Sequence, residues 1–128
     1  MILTALLVLV ASECDDRAGD LSAAECLSHA GDVADADLNK IWPGMVRIAR
    51  ERDMLFSPSP GKSKPSAEKD LLASQSAWLK HRASQCALQA DYAQGGSLEP
   101  VIYSRCYLEM TRQRIKQLKD VVEGFQES

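Results

Sequence analysis

Four cysteines, two histidines, a tryptophan–arginine pair and a run of acids hold the chemical possibilities of this 128-residue chain. Cys14, Cys26, Cys86 and Cys106 contain no CxxC, and no histidine stands at ligand spacing from them, so zinc chemistry is not indicated and no metal or cofactor is expected. His29 and His81 lie outside any HExxH, and neither GxSxG nor a glycine-rich phosphate loop occurs. No catalytic residue is assigned. A Ser/His/Asp site gathered from distant segments is the enzymatic alternative, and it ranks last because small all-α chains rarely carry one.

Binding chemistry has better candidates. Gln75, Trp78 and Arg82 share a helix face at i, i+3 and i+7. One reading is structural: Trp78 fills inter-helix space and Arg82 packs its stem along it, with its head group paired to an acid. A buried arginine requires such a partner, and Asp37 or Asn39 are the first to test. The other reading is direct contact of Trp78 and Arg82 with a partner molecule. Upstream, Asp15, Asp16, Asp20, Glu25, Asp32, Asp35 and Asp37 are interrupted by one basic residue, Arg17. Such a run suits a solvated helix N-terminus. It also suits steering of a basic protein, with Asp32, Asp35 and Asp37 as the contact candidates. The net charge of -3 argues against a nucleic-acid partner.

The elements that position these residues are helices. Leu72, Leu79 and Cys86 recur every seven residues, which predicts a helix over 66–93. Ile102, Cys106, Met110, Leu118, Val121 and Phe125 step mostly by three or four and predict another over 98–123, with the chain fraying after Phe125. Gly95 and Gly96 can take the left-handed backbone that ends the first of these. Ser97 is a good N-cap for the second, and Pro100 falls in its first turn. Cys86 and Cys106 then lie equally far from the turn of an antiparallel hairpin, so a disulfide between them is geometrically natural. A pair of reduced core cysteines is the other reading. Towards the N-terminus, Ser22 and Glu25 match a capping box, and apolar residues from Leu27 to Ile48 follow at helical spacing. A helix is expected over 22–53, with a kink or short break at Pro43-Gly44. Residues 54–66 hold three prolines and a glycine and read as a mobile surface segment or a functional loop, with Ser66 capping the next helix.

Residues 1–12 are uncharged, apolar and end in small residues. They are too short for a bilayer span of about 20 residues and read as a signal peptide, although no Lys or Arg precedes the apolar run. Glu13 before Cys14 excludes a lipoprotein signal. A helix packed in a cytosolic core is the alternative. After cleavage, residues 13–128 form one domain with no transmembrane segment. Four cysteines behind an export signal imply an oxidising compartment and two disulfides. Of three possible connectivities, Cys14–Cys26 with Cys86–Cys106 is preferred because the hairpin fixes the second pair. The expected fold is an all-α, three-helix antiparallel bundle with two disulfides.

An ordered set of residues resembles a known family. Leu72, Gln75, Trp78, Arg82 and Cys86 lead to Gly95-Gly96-Ser97, then to Cys106 and to Thr111, Arg114 and Leu118. With Asp35, Leu38, Asn39 and Trp42 upstream, the set is similar to the LprI-type lysozyme-inhibitor domain and covers nearly all of 13–128. Trp42 stands where that family usually has tyrosine, and Ala83 stands where it usually has aspartate. The resemblance implies a periplasmic or secreted protein that blocks peptidoglycan hydrolysis by occluding lysozyme, or another basic envelope or secreted protein. The alternative is a non-catalytic envelope module that binds another protein or a glycan through Trp78 and Arg82.

Overall fold

The computed structural model describes residues 14, 18–56, 60 and 66–127. The expected signal peptide, the acidic stretch Asp15-Asp16-Arg17 and most of the proline-rich segment lie outside the described residues. Among the described residues three helices make the fold: α1 (Asp20–Leu55), α2 (Ala67–Ala90) and α3 (Glu99–Glu127). A short 3-10 turn, Asp91–Ala93, follows α2. No strand occurs among the described residues.

Helix α1 is capped three residues before the capping-box position. Gly19, at φ 94°, is its N-cap, and the Ala23 amide bonds the Gly19 carbonyl at 3.1 Å. Ser22 is therefore inside the first turn, where Asp20 complements the helix dipole. The break expected at Pro43-Gly44 is absent, and helix continues to Leu55. Pro43 cannot bond the Asn39 carbonyl, but both residues are exposed, so water can serve that acceptor.

Ser66 is the N-cap of α2 as expected, but its side chain does not make the capping bond, and α3 departs further. The Ser66 hydroxyl bonds Asp70, and the carboxylate of Asp53, at the end of α1, accepts from the Ala67 and Glu68 amides at 2.8 and 3.0 Å. A distant side chain thus satisfies the first donors of α2. Ser97 gives its hydroxyl to Asp20 at 2.8 Å, while Gly95, at φ 82°, makes the turn and its amide donates to Glu99. Helix α3 runs on through Phe125 to Glu127.

Contacts fix how the helices run. Asp53 meets Ala67 and Asp35 meets Arg82, so positions rise along α1 as they fall along α2, and Asp20 near the start of α1 meets Ser97 in the turn beyond α2. Along α2 and α3, Cys86–Cys106, Arg82–Thr111 and Gln75–Arg114 pair in opposite directions. Helices α1 and α3 share the most extensive contact. They approach closely at Gly31, where an added Cβ would meet the Tyr107 ring at 3.1 Å.

The core has two apolar clusters. One holds Ala23, Leu27, Ala34, Val101 and Leu108; the other holds Leu38, Met45, Ala49, Leu71, Leu118 and Val122. Asp35 on α1, and Thr111 and Arg114 on α3, fall between them in sequence. The inward stripe of α2 is Leu71, Gln75, Arg82, Cys86 and Ala90. This corrects the heptad reading, because Leu72 and Leu79 are 46% and 45% exposed. Two polar residues occupy core positions of α2, so hydrophobicity alone points its face about one residue off. Both expected disulfides are present, Cys14–Cys26 and Cys86–Cys106, with Cα atoms 5.5 and 5.4 Å apart. The second closes a 20-residue separation and stabilises by about 3 kcal/mol on the chain-entropy argument.

Candidate partner-binding face and its buried support

Arg82 is 7% exposed and sits at the junction of all three helices. Its Nη1 donates to Asp35 Oδ1 on α1 and to Thr111 Oγ1 on α3, both at 2.9 Å. Thr111 is itself fixed by donating to the Tyr107 carbonyl at 2.7 Å. The guanidinium carbon lies 4.6 Å from the Trp78 ring centre and 3.9 Å from that of Tyr107, within cation–π range. Charge, hydrogen bonds and ring faces are all matched here, the condition under which a buried pair holds.

The counter-ion is Asp35, not Asp37 or Asn39. Ala34 and Leu38 face the core, so Asp35 borders that face, whereas Asp37 lies two residues on, roughly 200° round at 3.6 residues per turn. Asp37 and Asn39 are exposed. Burial holds the Tyr107 phenol above its ordinary pKa; the charge of Arg82 opposes this, while Asp35 reinforces it through its charge and a hydrogen bond.

A second guanidinium, Arg114, is 8% exposed and enters the same interior from α3. Its Nε donates to Gln75 Oε1 at 2.9 Å, Nη2 to Ser74 Oγ at 2.9 Å, and Nη1 to Gln117 Oε1 at 3.3 Å. Burial lowers its pKa from the ordinary arginine value. The sequence marked Arg114 only as part of a spacing pattern; its partners are neutral, Gln75 and Ser74 on α2 and Gln117 on its own helix, and carry no charge signal.

Of the residues expected to meet a partner, the structure brings Asp35, Trp78 and Arg82 together inside the bundle, with Trp78 half-buried and the Asp35 side chain 32% exposed. Asp32 and Asp37 stand apart on the exposed surface of α1. From residue 18 to residue 39 the chain has five acids and no Lys or Arg, so this half of α1 is negative throughout. Beside it, a cavity of about 330 Å³ between α1 and α2 is lined by Asp35, Trp42, Leu72, Gln75 and Leu79 among others. The exposed leucines of α2 therefore border an acidic helix. His29 and His81 are exposed, and no group of three or more potential metal ligands occurs among the described residues. No helix of the described residues is long and apolar enough to cross a membrane.

Fold and site together define a small all-helical scaffold, braced by two disulfides and a buried ion pair, that presents an acidic helix surface. The chain belongs to the family described as Lysozyme inhibitor LprI, which matches residues 14–118. That span includes both disulfides, Arg82 and its partners. The chain is also 35% identical over 91 residues to an uncharacterized protein of Rhizobium meliloti (strain 1021), a match covering 71% of this chain and 65% of that protein. No solved structure matches.

Proposed function

We propose that this protein is a periplasmic or secreted inhibitor that binds lysozyme, occludes its cleft and so protects peptidoglycan. The observation that carries this reading is the family match across residues 14–118. The geometry supports it in two ways. Inhibition by occlusion needs no catalytic group, only a rigid surface of matching shape and charge, and the disulfides with the Arg82–Asp35 pair supply rigidity. The negative half of α1 supplies attraction for a basic target, with Asp32 and Asp37 among its exposed charges. In this reading Trp78 and Arg82 support the surface from beneath, and the cleft between α1 and α2 gives Leu72 and Leu79 as apolar anchors.

The test is clearance of a bacterial cell suspension by egg-white lysozyme with oxidised mature protein added. Inhibition should rise with added protein and saturate near equimolar ratio. Unimpeded clearance at about tenfold molar excess, far above a micromolar Kd, would remove the reading. The remaining alternative would then be a non-catalytic envelope module using the same scaffold for a different protein or glycan.

A further inference from the structure

Arg114 is a buried cation that the inhibitor reading leaves unused. Its three hydrogen-bond partners, Gln75, Ser74 and Gln117, are all neutral, and the nearby Trp78 ring, 5.6 Å away, carries no charge. No salt bridge to it occurs among the described residues. A guanidinium keeps its proton and offers five N–H donors. Three are engaged, which leaves one on each terminal nitrogen with no partner among the described residues. Enclosing such a group without a counter-charge is costly, so its surroundings favour an anion.

The surroundings are shaped for one. Arg114 lines a groove of about 520 Å³ between the start of α2 and the end of α3, whose apolar walls are Leu71, Leu118, Val121 and Phe125. That volume lies within the range of small-molecule sites. The axial rise from Arg114 to Phe125 is about 16 Å at 1.5 Å per residue, a length that a medium-chain fatty acid spans. The start of α2 is not a competing anion site, because its Ala67 and Glu68 amides are held by Asp53. Asp70 also lines the groove, but it is exposed and accepts from Ser66, so its charge is solvated and screened.

The geometry points to a binding site for an aliphatic monocarboxylate, its carboxylate on the terminal nitrogens of Arg114 and its tail along Leu118, Val121 and Phe125. Neutral amphiphiles lack the charge, short anions lack the tail, and the apolar walls offer little to the amides of a peptide. Both halves of the ligand are required.

Calorimetric titration of the oxidised full chain tests this with three probes: decanoate below its micelle-forming concentration, acetate, and decyltrimethylammonium. Decanoate should saturate at one per chain, and neither of the others should saturate. Arg114→Gln should weaken decanoate binding about tenfold or more. Val121→Glu, at a position 46% exposed, places a negative charge at the rim without entering the core, and should weaken it comparably. The proposal is overturned if decanoate does not saturate, if the cation binds as well, or if a folded variant binds as wild type does. Should Arg114→Gln not fold, the Val121 variant decides. The titration contains no lysozyme, so its outcome is independent of the inhibitor reading.

Discussion

Arg82 and Arg114 are both buried and both approach the Trp78 ring, yet one is electrically complete and the other is not. Arg82 has a carboxylate, a hydroxyl and two ring faces drawn from all three helices. Arg114 has only two amides and a hydroxyl, and it opens on an apolar groove. The contrast separates roles that share one residue type. A compensated arginine locks helices together, because removing either partner strands the other charge. An uncompensated one adds little to folding and keeps its field for something outside the chain.

The largest effect expected from this contrast is at Asp35. Asp35→Ala leaves Arg82 buried without its counter-ion and should cost about 3 kcal/mol in urea unfolding, the low end for a broken buried pair because Asp35 is partly solvated. Replacing Cys86 and Cys106 together by alanine, one turn further along α2, should cost a similar 3 kcal/mol or so. Arg114→Met should cost about 1 kcal/mol, since hydrogen bonds to neutral groups are lost but a charge is no longer enclosed. If Arg114→Met destabilises as much as Asp35→Ala, the distinction between the two sites fails.

A smaller effect concerns pH. The folded Tyr107 holds its proton more tightly than the unfolded chain does, because burial raises its pKa. Its contribution is present in full below the ordinary tyrosine value of about 10 and is lost as pH rises through the higher folded value. Stability should therefore fall less steeply across this alkaline range in Tyr107→Phe than in wild type, as read by thermal melts at a series of pH values. Equal slopes would show that Tyr107 is as solvated folded as unfolded.

Much of the framework was legible because it depends on spacing within the chain. Cys86 and Cys106 lie equally far from the Gly95-Gly96-Ser97 turn, and that symmetry predicts their bond without tertiary information. The need of Arg82 for an acid was also legible, from the rule that buried charges are paired. Which acid it takes was not, because that depends on the rotation of α1 about its axis. The same is true of Leu72 and Leu79: Gln75 and Arg82 take the inward positions of α2, so an apolar heptad marks the wrong row. Ser66 does stand at the N-cap of α2, but the capping bonds to Ala67 and Glu68 come from Asp53, a distant side chain that no local pattern announces. The close approach at Gly31 gave no sequence signal, since a lone glycine in a helix reads only as a weak point. Arg114 was visible as part of a pattern, but the neutrality of its partners emerges only when α2 and α3 are packed.

The inhibitor reading places a charged contact surface on this braced scaffold, and the association rate with egg-white lysozyme tests it most directly. Stopped-flow mixing of the oxidised protein with lysozyme should give a rate that falls with added salt, as steering across a Debye length requires. Asp32→Asn combined with Asp37→Asn should slow association at low salt and flatten that dependence. A complex that forms at the same rate in wild type and in the double variant, at every salt concentration, would contradict the proposed surface; no complex at all would contradict the proposed function.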